Sequence, residues 1–162
     1  MVLGCAVAAG YTVFNIYMNR DLPLLVYFGN LSFIAGVLGL PAWNAYFGKL
    51  DRIHLMIIAV LAFLWVAMRT GSYLTYWNRH TRFLFLGFGF TRPQYIFYLF
   101  FKRALLYLIW DFITFLFLSS IIFWVELILY SRFYNSIIHI MWGVVAIGMI
   151  EGIVKALKAN RC

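Results

Sequence analysis

The chain has 162 residues, 65% of them hydrophobic and 11% charged, with a formal net charge of +8. An ordinary soluble domain is about half apolar and about a quarter charged, so a water-soluble fold of this length has no room to bury this much apolar surface. The composition reads instead as a helical protein bathed in lipid, and the basic excess as residues that set orientation and meet anionic head groups rather than as a nucleic-acid surface.

The first apolar segment runs from Met1 to Met18 and ends at Asn19-Arg20-Asp21. No basic residues precede it, so it does not resemble a cleaved signal peptide. Val2-Leu3-Gly4-Cys5 has the outline of a lipoprotein cleavage box but comes too early, with no apolar stretch before it. The second segment spans 22–40 and is expected to stop at Pro41. A polar stretch with Lys49, Asp51 and Arg52 follows. The third segment, 54–77, contains Arg69 and Gly71 near its end.

The stretch from Asn78 to Gln94 carries Arg79, His80, Arg82 and Arg92 around an aromatic core that includes Gly87 and Gly89. Two glycines argue against a regular helix there, and basic residues flanking aromatics predict a segment of about 79–103 lying on the membrane surface. Tyr95 to Tyr130 is apolar but interrupted by Lys102 and Arg103. It is too long for one straight span, since about 20 residues suffice, and the fourth span is set at about 104–127. The fifth covers about 136–155, before a tail with Lys158, Asn160 and Arg161.

The expected fold is therefore all-α: one transmembrane domain over 1–162 with five spans, or four if 1–18 lies only in the interface. With five spans, Arg20, Arg69, Arg79, Arg82, Arg92, Lys102, Arg103, Lys155, Lys158 and Arg161 flank one side, against Lys49, Arg52 and Arg132 on the other. The positive-inside rule then places the N-terminus outside and the C-terminus inside.

Ionisable residues inside spans are costly and point to function or to pairing. Arg69, Asp111 and Glu151 fall in the same leaflet on this reading. A structural ion pair of Arg69 with Asp111, and Glu151 held by Lys155 four residues on, is weighed against a proton or ion relay. His54 and His139 both open a span from the outer side, so a b-type haem between them is a further alternative. Head-group binding is assigned to Arg79, Arg82, Arg92, Lys102 and Arg103.

Small residues let helices approach closely in lipid. Gly148 and Gly152 form one such stripe, and Gly29, Ser32, Gly36 and Gly39 another, with Gly4 and Ala8 or Ala6 and Gly10 on the first segment. The first, second and fifth segments are therefore expected to pack together, whereas the fourth, ringed by Phe, Leu, Ile and Trp, suits lipid or a partner subunit. Cys5 and Cys162 form no metal or redox motif, and no hydrolase constellation or phosphate-binding glycine loop is present. The expectation is a non-catalytic integral membrane subunit or scaffold of a larger complex, with no cofactor. Its membrane partners would be other subunits and anionic lipids. A small proton, ion or solute transporter using Arg69, Asp111 and Glu151 is the first alternative, and the haem-binding anchor the second.

Overall fold

The computed structural model describes residues 2–18, 24–49 and 51–159. Met1, Arg20, Asp21, Arg161 and Cys162 lie outside them. The described elements are all helical: α1 (Val2–Met18), a 3-10 turn (Leu24–Phe28), α2 (Leu31–Tyr46), α3 (Arg52–Gly87), α4 (Arg92–Leu99), a π turn (Phe100–Ala104), α5 (Leu105–Arg132) and α6 (Tyr134–Ala159). Three of the resulting helices are long and apolar enough to cross a membrane: Arg52–Gly87, the continuous run Arg92–Arg132, and Ser136–Lys158.

The frame is an antiparallel hairpin. Going up α3 and down α5, Trp65 faces Phe115, Arg69 faces Asp111, Tyr73 stacks on Tyr107, and the Arg103 guanidinium lies over Trp77. On one side, α1 runs parallel to α3: Gly4 touches the backbone at Ala59, while Ile16 joins Leu74 near the other end. On the other side, α2 and α6 run antiparallel. Phe28 meets Gly152, Phe33 meets Gly148, and Gly36 meets Val145. The main core joins Cys5, Ala8, Ile34, Leu38, Leu61, Trp65 and Phe115 from α1, α2, α3 and α5.

Several expectations are corrected. Within the described residues the second segment is not one continuous helix. The backbone breaks at Gly29, whose missing Cβ admits the Leu64 carbonyl, and α2 restarts behind Asn30, whose side chain accepts the Phe33 amide at 2.9 Å. Nor does α2 stop at Pro41. The proline deprives the carbonyl four residues earlier of its usual donor, yet Pro41 is buried and the helix runs on to Tyr46. It ends instead at a turn where Gly48 takes φ 68°.

The stretch 78–94 is helical except at 88–91, and 79–103 is continuous with α3 on one side and with α5 on the other. Helix α3 continues through Gly87, because a glycine inside a helix costs only about 1 kcal/mol and the Phe85 ring is held against Phe90, Tyr95 and Tyr98. The chain turns at Gly89, with φ 85°, the left-handed region that glycine enters freely. Thr91 then opens α4, its amide donating to Gln94 Oε1 at 3.0 Å. The expected boundary near 103–104 survives only as the π turn within a continuous helix.

The first segment also packs differently from expectation. Its Gly4–Ala8 face lies on α3 rather than joining α2 and α6, and a Cβ at Gly10 would meet nothing within 4 Å.

Candidate functional site

The buried face of α5 carries Asp111, Phe115, Ser119, Glu126 and Tyr130. Steps of four and seven residues keep these on one helical stripe, so the polar members are drawn inside with the apolar ones. Asp111 is 2% exposed. Its Oδ1 lies 3.2 Å from Arg69 Nε, and its Oδ2 accepts a 2.8 Å hydrogen bond from Thr70 Oγ1. The Arg69 guanidinium is 5.0 Å from the Trp65 ring centroid, within reach of a cation–π contact. Adjacent residues of α3 thus occupy both oxygens of one carboxylate. The Arg69 side chain, 42% exposed, leads outward from the pair while Asp111 stays inside.

Glu151 is not part of this cluster. Lys155 Nζ lies 2.6 Å from its Oε1, and Ser32 donates to its Oε2 at 3.3 Å. That arrangement ties α6 to the start of α2. Next to it, Asn30 is 1% exposed and does three things: it caps α2, donates to the Tyr27 carbonyl at 3.3 Å, and donates to the Gly148 carbonyl at 2.7 Å. An Asn immediately before an apolar run is a helix-start signal legible in sequence, but its second bond to α6 is not.

Glu126 is the residue that sequence reasoning passed over. It is 8% exposed, and its Oε2 has no hydrogen-bond partner among the described residues. One turn on, Tyr130 donates to the Gly39 carbonyl at 3.0 Å and contacts Met141 Sδ. Tyr130 also lines an apolar cavity of about 250 Å³ with Phe33, Trp43, Met141 and Trp142.

The two histidines are placed apart in role. His54 Nδ1 accepts the Asp51 amide at 3.1 Å and so caps its own helix, while His139 is exposed on α6. No group of three or more His, Cys, Asp or Glu among the described residues could hold a metal ion. The glycines singled out for packing sit at close approaches. A Cβ at Gly29 would enter the Leu64 backbone, one at Gly148 the Phe33 backbone, one at Gly36 would press on Val145, and one at Gly152 on the Phe28 ring. Arg79, Arg82, Arg92, Lys102 and Arg103 gather at the far end of the α3–α4–α5 hairpin, where Lys102 Nζ lies 5.6 Å from the Tyr98 centroid.

Comparison with known proteins finds no matching family model, no matching curated protein and no matching solved structure.

Proposed function

We propose that the chain is a non-catalytic integral membrane subunit, a scaffold within a larger membrane complex. In this reading α3, α5 and α6 cross fully, while α1 and the 3-10 turn with α2 form two shorter crossings. The N-terminus is outside and the C-terminus inside, because Arg103, Lys155 and Lys158 share one end of the bundle. The observation that carries the reading is the closure of Asp111. Arg69 and Thr70 take both of its oxygens, so this buried carboxylate is satisfied from the neighbouring helix rather than left open to pass a proton on. The outer face of α5 adds support: Trp110, Phe117, Trp124 and Ile128 are all exposed and suit lipid or a neighbouring helix.

The unpartnered Glu126 oxygen favours the transporter as the second reading, since an ionisable group left open inside a bundle is a common mark of an ion path. One experiment separates the two. The tagged chain is purified in mild detergent and reconstituted in vesicles, with Asp111→Asn and Glu126→Gln alongside. Stoichiometric co-purifying membrane subunits and no proton or ion flux are expected. A lone chain that carries flux, lost in either variant while the protein still folds, would overturn the scaffold.

A further inference from the structure

The far end of the hairpin is built unlike the rest of the molecule. Helix α3 has 36 residues, about 54 Å of helix at 1.5 Å per residue, whereas a hydrocarbon core is about 30 Å thick. The end therefore reaches well past the apolar layer. Tyr73, Tyr76, Trp77 and Tyr107 form an aromatic belt where it would leave the bilayer. Beyond the belt the surface does not become simply polar. Phe83 is 82% exposed and Phe88 80%, with Phe97 and Phe101 also more than half exposed. No acidic residue occurs between Asp51 and Asp111, while five basic residues lie between 79 and 103.

These features meet in an open groove of about 800 Å³ between the turn after α3 and the outer side of α4. Phe88, Phe90, Phe97 and Phe101 give it apolar walls, and Gly89, Pro93 and the exposed Lys102 also line it. An apolar trough with a cation at one edge fits an amphiphile with a negative head. We propose that this groove binds an anionic phospholipid of the leaflet from which the hairpin emerges. The head-group phosphate pairs with Lys102, close to the belt marked by Trp77 and Arg103, and one acyl chain is drawn out of the leaflet along the phenylalanine rings toward the tip of the hairpin.

The commitment to lipid rests on charge and place. Second copies of the same tip would bring like charges together. Anionic head groups are already concentrated at the base of the hairpin, and basic residues interleaved with large aromatic side chains are what an interfacial lipid contact requires. The proposal needs the chain to sit in a bilayer but is independent of the scaffold role, so subunits can be present or absent without affecting it.

The test uses the full chain in nanodiscs with phosphatidylglycerol carrying a photoactivatable group on its acyl chain. Peptide mapping is expected to find the label within 88–101. Unlabelled phosphatidylglycerol should displace it, and phosphatidylcholine should not. Lys102→Glu changes an exposed side chain and should lower the preference for the anionic lipid at least about fivefold, while Phe97→Ala should weaken labelling with either head group. Should Lys102→Glu fail to fold, Lys102→Gln makes the same comparison with a smaller loss. Label spread along α5 and α6 but absent from 88–101 would overturn the proposal, as would equal displacement by phosphatidylcholine. So would protection of the groove by a co-purifying protein that persists in added phosphatidylglycerol.

Discussion

Replacing Arg69 by Leu removes the cation beside a carboxylate whose side chain is 3% exposed, leaving Thr70 as its partner among the described residues. Breaking a buried pair from one side typically costs about 3–5 kcal/mol, because the remaining charge is stranded. Replacing Asp111 by Leu is expected to cost less, about 1.5–3 kcal/mol, the scale of a lost hydrogen bond to a charged group. The difference arises because Arg69 is 42% exposed and keeps its contact with Trp65. The double replacement puts two apolar side chains where a pair stood and is expected to recover most of the larger loss. Unfolding of the purified wild type and three variants in a denaturing-detergent titration gives the four free energies, and the double-mutant cycle gives the coupling. Two results would refute the reasoning: additive losses, or Asp111→Leu proving the costlier single change.

Gly29→Ala places a methyl against the Leu64 backbone and should cost about 1–3 kcal/mol. In contrast, Gly10→Ala meets open space and should be neutral or gain up to about 1 kcal/mol; the same titration checks both. Glu126→Met removes a buried oxygen without a partner and is expected to stabilise the isolated chain by about 1–3 kcal/mol. A clear destabilisation on purification from the native membrane would mean that Glu126 is paired with a group from another chain. Single cysteines at Asn44 and Lys158 should react with an impermeant thiol reagent from opposite faces of sealed vesicles, and labelling of both from one face would rule out the proposed topology.

The helical class and the presence of long apolar helices were legible, because apolar runs of this length have few other structural solutions. The Arg69–Asp111 approach was reachable by counting depth along two helices. What escaped the sequence were features fixed by neighbours. Pro41 reads as a stop locally, but α2 passes through it inside the bundle. Gly87 and Gly89 look alike in sequence, yet only Gly89 takes a positive φ, because the packing of Phe85 carries α3 past Gly87. Glu126 does not stand out in the sequence, although its seven-residue step from Ser119 puts it on the buried stripe. Glu151 was grouped with Asp111 by depth alone. Helices of equal depth need not be adjacent, and its partners are Ser32 and Lys155.

The bonds from Asn30 to Gly148 and from Ser32 to Glu151 span 118 and 119 positions of chain. Synthesis runs from the N-terminus at about 5–20 residues per second, so α2 waits several seconds for the helix that covers it. The α3–α5 hairpin, joined by a short turn, has its contacts in hand much earlier. Assembly therefore has an order: α1 and the hairpin first, and the α2 face last, open to chaperones or to a competing helix in the meantime. A ribosome that stalls after Arg132 would leave a chain whose Gly36 side lacks the Val145 that covers it in the full chain.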